Sequence, residues 1–308
     1  YYSSPHHSLI TWPITWLDMR EINNKIQAAS HSGASLEVIQ EGDAYLVQKK
    51  ISASIDKNYN AILKQRNFQP LVTPSYHILA IPVLDVNKTE SELCVSMPFI
   101  EGLGGEQVAY KGSKAVAKNL KIALDFYLIN SVSQSDDGSY PKEAIQQKIV
   151  SIKEKIVGKS SIYPGIDAHI EALSNYCDRD LQLPVGECHG DLTLSNLKVT
   201  EQNQLTLFDF LSCDINSPLQ DAAKLIQDFE FGWSFRKEKE SIRVKGEIFC
   251  DHAKPSFLKT LNRLFNYEMR VIEALTILRI APYIQDNDLI TVTWFNQTIA
   301  KTMQKITG

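Results

Sequence analysis

The chain's 308 residues include 32 Lys and Arg against 36 Asp and Glu, and the resulting net charge of −4 argues against a general binder of nucleic acid or of anionic membranes. Hydrophobic residues at 44% and charged residues at 22% fit an ordinary globular chain, large enough for one big domain or two lobes. No apolar run approaches the length that spans a bilayer, and five scattered cysteines without a C-x-x-C pair fit reduced thiols in the cytoplasm better than disulfides or a zinc site.

Tyr1 opens the sequence with no signal-peptide pattern behind it, and residues 1–29 read as an N-terminal extension. Strands dominate residues 30–100. Ser32-Gly33-Ala34-Ser35 is a small-residue turn leading into Leu36–Ile39. Gly33 and Ser35 are candidate nucleotide contacts, because small residues let backbone N–H groups approach phosphates, although any hairpin also favours such a turn. Gly42-Asp43 then turns the chain into 44–51, where strand alternation puts Tyr45, Val47, Lys49 and Ile51 on one face. An ammonium in an inward apolar row needs an anionic partner, so Lys49 is the candidate phosphate contact; Lys50 faces the other way and reads as a solvated charge. A one-residue slip in register would exchange the two roles. A helix over 56–66 follows, then strands at 76–81 and 93–98. Met97-Pro98-Phe99 runs on into Gly102-Leu103-Gly104-Gly105, which suits either a flexible hinge or a plain glycine-rich loop.

From about residue 113, three- and four-residue apolar spacing predicts helices over 115–129, 142–156, 166–175, 256–278 and 290–306, with 133–139 as a polar turn. Cys188 reads as a small buried apolar residue, and Asp214 as solvent-exposed. The aromatic stretch 229–235 suits core packing, or the lining of an acceptor pocket. The charged run 236–240 reads as solvated surface.

The most informative stretch is Cys188-His189-Gly190-Asp191-Leu192-Thr193-Leu194-Ser195-Asn196-Leu197, in which Asp191 and Asn196 stand five residues apart. Two short strands at 197–199 and 205–208, joined by a polar turn, return the chain to Asp209 beside Asn196. Such a trio is what metal-assisted phosphoryl transfer needs: one carboxylate orients the attacking hydroxyl, while an amide oxygen and a second carboxylate hold Mg²⁺ against the phosphates. An ordinary polar loop before a hairpin is the alternative.

This H-x-D-x₄-N plus D-F arrangement, in its His-Gly-Asp form, resembles the aminoglycoside phosphotransferase and choline kinase group. The resemblance implies an α+β, bilobal protein-kinase-like fold with a small antiparallel β-sheet N-lobe (30–100) and a larger, mainly helical C-lobe (101–308). It implies ATP and Mg²⁺ as cofactors and a small-molecule hydroxyl as acceptor. In those terms Asp191 is catalytic, Asn196 and Asp209 are metal ligands, and Lys49 reaches the nucleotide phosphates. Met97 and Phe99 flank the adenine-binding linker. His189 and Asp221 give structural support, Asp221 by bracing the loop's backbone amides; it reads equally well as a first-turn helix acid. Ser217 as N-cap with Pro218 behind it starts that helix. The combination of His-Gly-Asp-Leu-Thr-Leu-Ser-Asn, Asp-Phe, Ser-Pro and Asp-x-x-Lys is most similar to bacterial members linked to capsule or surface-polysaccharide assembly, which implies a sugar-like acceptor.

One departure stands out. The helix over 56–66 holds no Glu to pair with Lys49, leaving Asp56, Asn60 or Gln65 as stand-ins. Its absence motivates a non-catalytic nucleotide-binding module as a rival, beside a kinase-like AMP transferase. A protein kinase is disfavoured because no Ala-Pro-Glu segment follows Asp209.

Overall fold

The structure is a computed structural model, and it describes residues 34–42, 44–105, 107–200 and 202–308. Gly33 and the extension 1–29 lie outside the described residues. The first elements are β1 (Ser35–Glu41), β2 (Ala44–Ile51), α1 (Ile55–Asn67), β3 (Leu71–Val72), β4 (His77–Ala80), β5 (Asp85–Lys88) and β6 (Leu93–Pro98). The described residues divide into two compact units, 34–59 with 81–101 and 60–80 with 102–308.

In the first unit β1, β2, β6 and β5 form one sheet in that order, antiparallel throughout. Ser35 is already in β1, opposite Lys50, so the strand starts one residue earlier than its composition suggests. Lys50 pairs with Glu37 at 3.4 Å on the exposed face. Strand alternation therefore sets Lys49 on the other face, opposite Leu36 and Val95. Val38 packs there with Leu36, Tyr45, Val47 and Phe99. Asp56 at the start of α1 is taken up by Lys88 at 2.6 Å on the surface.

The second unit adds β7 (Leu103–Gly104), α2 (Gln107–Lys111), α3 (Lys114–Ser133), β8 (Asp136–Tyr140), α4 (Lys142–Lys155), α5 (Ile166–Tyr176), β9 (Leu181–Val185), β10 (Leu197–Val199) and β11 (Gln204–Leu207). The remaining helices are α6 (Pro218–Phe229), α7 (Glu240–Ala253), α8 (Phe257–Leu264), α9 (Asn266–Leu278) and α10 (Leu289–Thr307). All twelve residues of α6 are buried, and it packs on α3, α7, α8, α9 and β9, which places it at the centre of the core. Ser217 caps it by accepting from the Leu219 N–H at 3.2 Å, with Pro218 at the first helical position. Such a cap is worth about 1 kcal/mol.

Three local expectations are corrected. The glycine-rich segment after Phe99 is not a loose hinge. Leu103 and Gly104 pair with Val199 and Lys198 as an edge strand of the sheet β3-β4-β11-β10-β7. Residues 136–140 are not a turn but a strand paired with β9, where Gly138 leaves room for the Val185 side chain. Asp, Gly and Ser are poor strand formers, so only a partner about 45 residues away reveals that strand. The 256–278 helix is two helices, broken at Phe265, whose backbone (φ −118°, ψ 48°) is not helical. The charged run at 236–240 does stay at the surface, with Lys237, Lys239 and Glu240 exposed, and it leads into α7, which buries Gly246, Phe249, Cys250 and Ala253.

A Cβ at Gly102 would lie 2.6 Å from the Val199 carbonyl oxygen, within backbone that cannot give way cheaply. Gly102→Ala is therefore expected to destabilise the protein by about 1–3 kcal/mol. Urea denaturation against wild type measures this, and an unchanged midpoint would contradict the close approach of β7 and β10.

Candidate active site

Three charged side chains of α6 hold the loop from His189 to Asn196. Asp221, fully buried, accepts from the backbone N–H groups of His189 and Gly190, each at 2.7 Å, and from the Tyr127 hydroxyl at 2.7 Å. One turn on, Lys224 is 6% exposed and its ammonium lies 2.9 Å from Asp191 Oδ1. A further turn on, Asp228 accepts from the Leu194 N–H at 2.6 Å and from the N–H and hydroxyl of Ser234 at 2.6 and 2.8 Å. Residues at i, i+3 and i+7 share a helix face, so one stripe of α6 holds the loop at three successive points.

Within the loop, Asn196 closes a 3-10 turn (Leu194–Asn196), and its Nδ2 donates to the Asp191 carbonyl at 2.8 Å and to Asp191 Oδ2 at 2.9 Å. The Asp191 carboxylate is thus held from both sides. Burial pushes its pKa up, but the Lys224 ammonium, helped by His189 and Arg279, outweighs this and holds it below the usual carboxylate range. Gly190 adopts φ +89°, and a Cβ there would lie 2.4 Å from Cys213 Sγ, so the loop needs glycine at this position.

His189 is buried and points inward. Its Nε2 lies 2.9 Å from the Phe208 carbonyl, while its Nδ1 lies 3.1 Å from the Asp191 N–H. Those partners assign the proton to Nε2 and leave Nδ1 as acceptor. Burial lowers the His189 pKa against the pull of Asp221 and Asp191, in keeping with a neutral ring.

The β10–β11 hairpin brings Asp209 back to the loop. Leu197 pairs with Leu207, and the Phe208 N–H donates to the Asn196 carbonyl at 3.1 Å. Asp209 follows directly, with φ +57°, a left-handed conformation uncommon outside glycine and best tolerated by Asn and Asp. An amide and a carboxylate are hard oxygen donors, and Mg²⁺ typically takes one or two carboxylates with waters and substrate phosphates completing its shell. The Asn196 and Asp209 pair therefore fits Mg²⁺.

In the first unit, Lys49 lies mid-strand on the face of the small apolar cluster. Met97 is paired with Val47, and the Phe99 N–H donates to the Tyr45 carbonyl at 2.9 Å, so that donor is spent on the sheet. Of the three stand-ins for the missing Glu, Asp56 is bound to Lys88, Asn60 is exposed and Gln65 is buried. Cys188 is buried, and a hydrogen bond with Cys213 together with burial pushes its thiol well above the usual range, which suits packing rather than nucleophilic attack. Asp214 is largely exposed and ion-paired with Lys148.

Phe229 and Phe235 join the core, whereas Trp233 stacks tilted on Trp294 at 4.8 Å and carries the Arg236 guanidinium 3.6 Å from its ring centre. Beside them a cavity of about 730 Å³ is lined by Asp228, Phe231, Arg236, Arg243, Trp294 and Lys301. Asp228 thus touches both this cavity and the loop. The sequence offers Lys224 only as the Lys of the Asp-x-x-Lys pattern, with no role attached, and singles out neither Asp228 nor Tyr127. A charged pair three and seven residues past Asp221, on a helix whose other positions are apolar or Gln, was the available signal for the first two; Tyr127 offered none.

The model of the phosphotransferase enzyme family, APH, matches residues 160–246, the segment that carries the loop, the hairpin and α6. No curated protein matches the sequence. A thermostable mutant of aminoglycoside phosphotransferase APH(4)-Ia in its apo form is similar in structure at 12% identity, with a TM-score of 0.53 over 89% of this chain and 92% of that one. A second structure of aminoglycoside phosphotransferase APH(4)-Ia is 11% identical, with a TM-score of 0.51 over 94% and 100%. The fold is therefore protein-kinase-like, with an antiparallel-sheet N-terminal region and a mainly helical C-terminal one. Among the described residues no helix is long and apolar enough to cross a membrane.

Asp228→Asn keeps the shape but puts an amide N–H where a donor already points, and is expected to cost about 1–3 kcal/mol. Burial, partly offset by the Leu194 and Ser234 bonds, raises the Asp228 carboxyl to about 6. The unfolded chain binds that proton only near pH ~4, so the native state gains stability as pH falls from ~6 towards ~4 and loses it as pH rises through ~6. The stability gap between wild type and Asp228→Asn should therefore widen between pH 7.5 and 5 in urea titrations; a gap that narrows would contradict the raised carboxyl.

Proposed function

We propose that the chain is an ATP- and Mg²⁺-dependent phosphotransferase that moves the γ-phosphoryl group of ATP to a hydroxyl of a small molecule, with a sugar or sugar derivative as the first acceptor class. The observation that carries this reading is the convergence on one braced loop of Asp191 and Asn196, with Asp209 returned beside them by the hairpin. Asp191 would orient the acceptor hydroxyl and take its proton as the oxygen–phosphorus bond forms. A carboxylate held below its usual range is a weak base, so orientation is the larger part of that role. Asn196 and Asp209 would hold Mg²⁺, which when bound supplies positive charge to the phosphate oxygens. Lys49 would contact the nucleotide phosphates, with Gly33 and Ser35 close to them, and the backbone around Met97 and Phe99 would contact the adenine. His189 and Asp221 would fix the loop. The match of residues 160–246 to the phosphotransferase family supports the reaction class.

The sugar-like acceptor class rests on the resemblance of the motifs; the cavity beside Asp228 is lined by none of Asp191, Asn196 and Asp209 and adds nothing to it. A cytoplasmic location and a link to surface-polysaccharide chemistry accompany this reading as proposals. The helix α1, which holds no Glu, favours a second reading, a nucleotide-binding module without turnover.

One experiment separates them. Labelled ATP and Mg²⁺ are offered with a pool of sugars, amino sugars and other alcohols to wild type and to Asp191→Asn. We expect labelling by wild type only, with at least ~100-fold loss in the variant, and a product heavier by one phosphoryl group. Equal labelling by both proteins would sink the catalytic reading, and a gain of AMP would make the chain a nucleotidyl transferase instead.

A further inference from the structure

The charges on α6 divide into two kinds. Asp221 and Asp228 each satisfy backbone N–H groups of the loop, as structural braces do. Lys224 differs, because its ammonium makes no hydrogen bond to the loop's backbone; it meets the one side chain expected to touch the acceptor, Asp191 Oδ1, at 2.9 Å. Its other partner is Gln227 Oε1 at 3.3 Å, on its own helix.

We propose that Lys224 is a positioning residue for phosphoryl transfer, fixing the plane of the Asp191 carboxylate so that its oxygens face the acceptor hydroxyl in one orientation. This rests on the phosphotransferase reading of the loop. A carboxylate on a short side chain has two soft torsions, and two opposed donors remove both: Lys224 grips Oδ1 while Asn196 Nδ2 grips Oδ2. Asn196 belongs to the loop and moves with it. Lys224 stands on α6, whose twelve residues are all buried, so it ties the carboxylate to the rigid core. Side chains placed to within a fraction of an ångström account for large parts of a rate enhancement, and a small misplacement loses much of it.

A purely structural part, with Lys224 merely balancing the buried charge of Asp221 and Asp228, leads to a different result. Loss of the ammonium would then lower stability and leave the turnover of the folded molecules unchanged. The positioning role instead lowers kcat with little change in the KM for ATP, because Asp191 meets the acceptor and not the nucleotide. Two variants are informative. Lys224→Met keeps the length of the side chain and removes the charge. Lys224→Arg keeps the charge and two donors to Asp191.

The probe is Mg²⁺-ATP hydrolysis, with water as acceptor, measured on wild type, Lys224→Met, Lys224→Arg, Asp191→Asn and the Asp191→Asn/Lys224→Met double variant. The folded fraction of each is set by its urea transition. We expect Lys224→Met to lower kcat by about 10- to 100-fold, with KM for ATP within about 3-fold of wild type. Lys224→Arg should recover most of the loss, and the double variant should be no slower than Asp191→Asn alone. Wild-type turnover matched by Lys224→Met, or a double variant slowed by the product of the two single losses, would overturn the assignment of Lys224. A wild type that turns over no faster than Asp191→Asn would instead sink the phosphotransferase reading itself, and the positioning role with it.

Discussion

The burial of α6 is the constraint on which the second unit depends. A helix buried along its whole length has no solvent face on which to place charge, yet this one carries two carboxylates and an ammonium. An ionised group in such a place costs several kcal/mol unless hydrogen bonds and opposite charges meet it. The loop from His189 to Asn196 supplies them: N–H groups at His189, Gly190 and Leu194 for the acids, and the Asp191 carboxylate for Lys224. Helix and loop therefore solve each other's problem. The loop lies where the charges of α6 are satisfied, and with Ser234 and Tyr127 it supplies the partners that make those charges tolerable.

That reciprocity explains how an irregular segment can hold catalytic geometry. The loop has few regular backbone bonds of its own, and one residue, Gly190, needs a conformation closed to other side chains. Fixation comes instead through side chains of a helix buried along its whole length. His189 adds a second tie, since its neutral ring joins the Asp191 N–H to the Phe208 carbonyl and so couples the loop to the end of the hairpin. The hairpin in turn carries Asp209, whose left-handed backbone leads the chain away just beyond the proposed ion site. Loop, hairpin and helix thus form one hydrogen-bonded assembly within the second unit.

Much of this was legible in the sequence where the signal is local. The Asp191, Asn196 and Asp209 spacing, the short strands between them, and the Ser217-Pro218 helix start are each written within a few residues. The pairing of Lys50 with Glu37 accords with the alternation that sets Lys49 on the inner face. What escaped depends on partners far along the chain. The β8 strand reads as a turn because its composition is that of one, and only β9 makes it a strand. The glycines at 102–105 suggest freedom, whereas β10 uses their lack of side chains for close approach. Tyr127 reaches Asp221 across 94 positions, and nothing near either residue announces the bond. Gly33 lies outside the described residues.

The central claim is that buried carboxylates of α6 hold the loop as part of the core, and amide hydrogen exchange tests it most directly. The N–H groups of His189, Gly190 and Leu194, all bonded to Asp221 or Asp228, should exchange only through global unfolding, as the amides of α6 and α9 do. Exchange of these three amides through low-energy local openings, at rates typical of surface loops, would contradict it.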